Sequence, residues 1–205
     1  MTLRSALLSG LFGAALLAAP ALAQDTTTAE PAAPAAAAPE QGAPVVAATH
    51  RDWQVVCSPE VEGQPQQCEM YQLLTDQTNN PIAEISIAAL PLGAEFAAGA
   101  TVTTPLETFL PTGMGFYIGT EPADGQMRVE GFRVCTVVGC VVRMGLSVEE
   151  VDSMKSGSSA TIMIAPFVAV DQPIRVNVSL AGFTAAYDDL QTRLSEAAAA
   201  ARSGQ

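Results

Sequence analysis

Histidine is nearly missing from this chain of 205 residues, His50 being its only one. A lone imidazole gives Ser-His-Asp chemistry one candidate base, and His50 stands at the mouth of a stretch with little to bury, so no catalytic residue is assigned. Positive charge is also scarce: 9 Lys and Arg face 21 Asp and Glu. Such a chain is repelled by polyphosphates at long range, and nucleic acid is not an expected partner. After the first 23 residues no run approaches the roughly 18 apolar residues of a membrane helix, so no transmembrane segment is expected in a mature chain. The four cysteines include no C-x-x-C pair, and no Gly-rich phosphate loop, HExxH or EF-hand pattern occurs. No cofactor and no metal is expected.

What is present begins with an address. Arg4, the apolar residues 6–19 and the small-residue site Ala21-Leu22-Ala23 have the layout of a secretory signal peptide over residues 1–23. The expected destination is the periplasm or cell envelope, or the outside of the cell. Removal of that segment deletes Arg4 and no acid, taking the formal charge from −12 to −13. Residues 24–49, almost all Ala, Pro, Thr and Gln, read as a disordered arm. Residues 50–185 are then long enough for one domain with a single core, and residues 186–205 for a helical or frayed tail.

Within that domain Ile174, Val176, Val178 and Leu180 alternate with polar residues, the period of a strand with one buried face. Rougher runs of the same kind lie at 52–57, 68–75, 82–90, 115–119, 126–135, 140–146 and 161–170, separated by Gly, Pro, Asn and Asp turn signals. The pattern predicts an all-β sandwich or barrel of about eight strands. Ser147 and Glu150 have capping-box spacing, with Lys155 and Gly157 placed to close one short internal helix. Tyr187, Leu190 and Leu194 mark one face of a C-terminal helix after Phe183.

In an exported chain Cys57, Cys68, Cys135 and Cys140 allow three disulfide pairings. Cys57 and Cys68 bracket the polar loop SPEVEGQPQQ, and Cys135 and Cys140 bracket TVVG, so each pair can end facing strands within disulfide reach. The expected pairs are 57–68 and 135–140, worth roughly 3 and roughly 2 kcal/mol by loop closure. Redox and zinc readings are weaker, because the spacings match neither a thioredoxin-like motif nor a zinc knuckle. The scattered methionines favour core filling over soft-metal binding. Asp76, Asn79 and Asn80 favour a turn over calcium. The pairs Glu149-Glu150 and Asp188-Asp189 favour helix first turns over acid-base work.

If Cys135 faces Cys140, then Val134 lies opposite Val141, Arg133 opposite Val142 and Phe132 opposite Arg143. One face carries Met127, Val129, Cys135, Cys140, Val142, Met144 and Leu146. The other carries Glu130 with Arg128, Phe132, Val134, Val141 and Arg143, an aromatic-arginine-valine mixture resembling an interface. Those last five are the candidate partner-binding residues. Cover by a loop or by the tail helix is the competing expectation.

Trp53 four residues before Cys57, then Cys68, then Cys135 with Gly139-Cys140, then Lys155-Ser156-Gly157 and SLAGFTAA at 179–186 together resemble the invasion-associated locus B family, over about residues 50–190. The resemblance implies an exported bacterial envelope protein with an immunoglobulin-like β-sandwich, from a family associated in pathogens with host-cell entry. It implies no known enzyme activity and carries over no catalytic residue. The expected function is therefore non-enzymatic binding of a protein or envelope component through a sandwich surface. The rival expectations are a periplasmic enzyme using acids such as Asp52 or Glu69, and a structural envelope protein.

Overall fold

Alternation along the chain is realised, among the described residues, as eleven strands in two antiparallel sheets, followed by a long helix. The computed structural model describes residues 42–61, 64–76, 78–122 and 126–203, all within one unit of Pro39–Gln205. The elements are β1 (Val45–His50), β2 (Trp53–Cys57), β3 (Cys68–Thr75), β4 (Pro81–Ala89), β5 (Ala98–Thr104), β6 (Met114–Ile118), β7 (Arg128–Glu130), β8 (Phe132–Thr136), β9 (Gly139–Leu146), α1 (Val148–Ser156), β10 (Ser159–Ile164), β11 (Ile174–Ser179) and α2 (Phe183–Ser203). The larger sheet runs β1-β2-β3-β4-β5-β9-β8 and the smaller β11-β10-β6-β7.

The two sheets bury one shared core. Trp53, Val55, Met70, Leu74, Ile85, Ile87, Val102 and Val142 fill the inner face of the larger sheet, against Phe116, Ile162, Val176 and Val178 from the smaller. Phe183, Ala186, Tyr187 and Leu190, on one face of α2, complete it. Burying each of the large ones contributes roughly 1.5–3 kcal/mol. Trp53 meets Phe183 edge to face at 5.6 Å, and its Nε1 donates to Ser179 O at 2.8 Å. Buried Gln72 ties the sheets together at the same point: Nε2 donates to Asp52 O and Ser179 O, while Oε1 accepts from Ser179 N. Gly182 at φ +89° passes so close to His50 O that a Cβ would collide, which lets the end of β1 and the start of α2 touch.

Several expectations need correcting. Among the described residues the strands number eleven, three more than the sequence pattern showed. All of β1 but His50 falls in the range 24–49 expected to be an arm, and it pairs with β2. β5, AGATVTT, buries Ala98, Ala100, Val102 and Thr104, small residues that give a weak propensity signal. The run 126–135 is two strands: beyond Gly131 the chain leaves the smaller sheet and joins the larger. The run 161–170 ends early, at Ile164. The boundary expected at 186 falls inside α2, whose buried residues extend to Leu190. The signal segment 1–23 and residues 24–41 lie outside the described residues. The capping box forms as its spacing predicts, with Ser147 Oγ accepting from Glu150 N and Glu150 from Ser147 N.

Candidate binding surface

Each cysteine pair closes a hairpin. Cys57 pairs in register with Cys68 and is bonded to it at 2.07 Å; Cys135 pairs with Cys140 and is bonded at 2.05 Å. The second hairpin carries four of the five candidate residues, Phe132, Val134, Val141 and Arg143. Its tip is fixed from below: Thr104 Oγ1 donates to Cys140 O at 3.3 Å, Thr108 Oγ1 donates to Thr104 Oγ1 at 3.1 Å, and both threonines are buried. Gly139, at φ +150°, lies so close to Thr104 O that any side chain would clash. Above this base the tip valines stand in solvent, Val137 95% and Val138 77% exposed.

The five candidate residues do not share one face. Val134 lies opposite Val141, as the spacing predicts, but a bulge between Phe132 and Val134 shifts the register so that Phe132 lies opposite Val142 and not Arg143. Val142 is buried, and Phe132 packs partly against the same core. One extra residue, Arg133, turns Phe132 to the inner side. Arg128 belongs to the other sheet: it bonds Glu130, Glu150 and Gly145 O, clamping β7 to the start of α1 and to β9. Val129, expected in the core, is exposed, as is Met127.

Val134, Val141 and Arg143 remain together on the outer face of the larger sheet. Strand register continues that face inward: Val134, Val141, Thr103, Glu84 and Leu73 form one cross-strand row, and Arg143, Thr101, Ser86, Tyr71 and Gln54 form the next. Tyr71 donates to Glu84 Oε2 at 3.1 Å. Burial, then that carboxylate, push the Tyr71 hydroxyl up to about 12. The outcome is a half-polar sheet face ending at an apolar, arginine-bearing edge. Arg133, Val137 and Val138, outside the five sequence candidates, are exposed at the same edge. A readable signal was available: residues 131–146 contain no Asp or Glu in a chain with 21 of them.

The remaining candidates lie elsewhere in the fold. His50, expected at the mouth of an arm, ends β1 and is hydrogen-bonded with Asp189 of α2 at 3.0 Å, where Arg193 also binds. Burial pushes the Asp189 carboxyl up, but the hydrogen bonds from His50 and Arg193 prevail and hold it below its usual range. Asp52 accepts from the Ser179 hydroxyl, and Glu69 lies opposite Val56 on the outer side of β3. Asp76 is used by its own turn, accepting from Thr78 and Asn80 through both oxygens. Lys155 pairs with Asp188 at 2.8 Å and lies over the Tyr187 ring. Met70, Met114, Met144 and Met154 are buried as core. A cleft of about 340 Å³ opens between the 90–97 loop, α1 and α2, walled by Leu90, Phe96, Val148, Val151 and Tyr187. Lys155, the cation in its wall, is already paired.

Comparison with known proteins agrees with this architecture. A crystal structure of invasion associated protein B from Bartonella henselae superimposes with a TM-score of 0.60 at 20% identity, over 73% of this chain and 97% of that one. Identity that low shows likeness of fold. A search of curated proteins found no match. The model of the family described as Invasion associated locus B (IalB) protein matches residues 53–191, from the core tryptophan to the last buried turn of α2 and across both stapled hairpins. The chain belongs to the IalB family.

Proposed function

We propose that this protein is an exported, non-enzymatic component of the bacterial envelope that binds a protein or another envelope component through the β8–β9 end of its larger sheet. The observation that carries the reading is the tip of that hairpin: two valines held in solvent by a disulfide, a glycine and two buried threonines. Exposed apolar groups mark interaction sites, and on a rigid base they lose little entropy on binding. Family membership supports an invasion-associated envelope role, the two disulfides favour an oxidising compartment, and no helix among the described residues is long and apolar enough to cross a membrane. An immunoglobulin-like arrangement is part of the proposal, supported by two antiparallel sheets closing on one core.

The test is capture. Immobilised protein exposed to envelope extract of its own bacterium should retain a partner saturably, and Val137→Ser with Val138→Ser should lose it while melting unchanged. Absence of any saturable partner, or retention indifferent to the tip, would overturn the reading.

A further inference from the structure

The larger sheet ends at β8, and on its outward side no strand pairs with it among the described residues. A free edge offers a row of backbone donors and acceptors that a further strand can use. Among the described residues the two sheets have four edges, at β1, β8, β11 and β7. β7 spans only three residues, and its Arg128 is engaged by Glu130 and Glu150. β11 carries Arg175, paired with Glu121. β1 is broken by a bulge between Val46 and Ala48. At β8 the bulge lies at the start, leaving Val134 to Thr136 in regular register with Val141 to Gly139. Val134 is 53% exposed.

Charge sets this edge apart. Arg128 and Arg175, the arginines of the smaller sheet, are ion-paired. Arg133 and Arg143, those of the larger sheet, are exposed and carry no ion pair among the described residues. They sit in the acid-free stretch 131–146 of a chain whose formal charge is −12. A second copy is a poor occupant, because edge-to-edge pairing would bring four arginines together and join two strongly acidic molecules. A strand bearing carboxylates beside apolar residues fits both features: carboxylates reach Arg133 and Arg143, and apolar side chains cover Val134 and Val137.

We propose that the β8 edge takes up an extended acidic segment of a partner protein as an added antiparallel or parallel strand. This rests on the binding function above and names its mode and the chemistry of its partner. The disulfide and the Thr104–Thr108 base pre-organise the edge, so the ordering cost falls mainly on the incoming segment.

The probes are three end-blocked octapeptides: alternating Val-Glu, alternating Val-Lys, and the Val-Glu peptide N-methylated along one backbone edge. Each is titrated into the disulfide-bonded chain and followed by amide resonances. The Val-Glu peptide should shift the amides of residues 132–136 and protect them from exchange, at least about tenfold more tightly than Val-Lys. N-methylation should abolish the effect, and R133E with R143E should reverse the preference. Equal responses to the two peptides, no response, or shifts centred elsewhere would overturn strand addition. So would a hairpin that ignores peptides but inserts into phosphatidylglycerol vesicles. Envelope capture that depends on the tip valines, without any peptide response at 132–136, would leave the binding function standing and remove only this mode.

Discussion

The two stapled hairpins use the same covalent device in opposite surroundings. β2–β3 lies inside the larger sheet between β1 and β4, with Trp53 and Met70 in the core and a polar connection between its strands. β8–β9 lies at the margin, and its connection is Thr-Val-Val-Gly with both valines in solvent. Where neighbours already hold a hairpin, a disulfide adds stability; where one flank is empty, it holds a shape that packing alone would not. On the binding function proposed above, the first hairpin is framework and the second is display.

That contrast can be broken most forcefully at the framework. Trp53→Ala removes a fully buried ring, its edge-to-face contact with Phe183 and its bond to Ser179, and should cost about 3–5 kcal/mol in chemical denaturation. Replacing Cys57 and Cys68 together by Ser should cost roughly 3 kcal/mol, and replacing Cys135 and Cys140 roughly 2, from the loop lengths they close. Yet the second pair, the smaller in stability, should have the larger effect on partner capture. If both doubles impair capture in proportion to their stability loss, the division into framework and display fails. Phe132→Ala should destabilise by about 1–3 kcal/mol, because the bulge turns it to the core side. A change near zero would restore the outer-face placement.

Val137→Ser with Val138→Ser should alter stability by no more than about 0.5 kcal/mol, while capture is lost. The smallest effect belongs to the framework. Hydrogen bonds from Thr78, then Asn80, hold the exposed Asp76 carboxyl at about 2 against an ordinary 3.8. A depressed carboxylate contributes stability above its unfolded value, and that contribution is lost as pH falls through the folded one. Melting temperature should therefore decline between about pH 4 and pH 2 with a component that Asp76→Asn abolishes. Identical acid profiles would show that the turn does not couple to folding.

Much of this was legible in one dimension because it depends on neighbours in sequence. Strand periodicity at 174–180, the capping box Ser147–Glu150, and the facing of each cysteine pair across a short loop are local relations, set by side-chain period and chain reach. The same local pattern could not reveal β5, whose Ala and Gly residues make sense only between β4 and β9. Nor could it reveal that Gly131 is a switch between sheets, since 126–135 is equally extended on both sides of it. The candidate surface divides the same way. Val134 opposite Val141 followed from the disulfide, but the bulge at Arg133 inverted Phe132, and Arg128 left for a clamp with Glu150, twenty-two residues away. Composition and local spacing determined the charge and the stapled β class, because those are sums and short-range relations. Which strand became an edge, which arginines found partners and which valines stayed in water were decided by tertiary structure, because each depends on what the rest of the chain brings alongside.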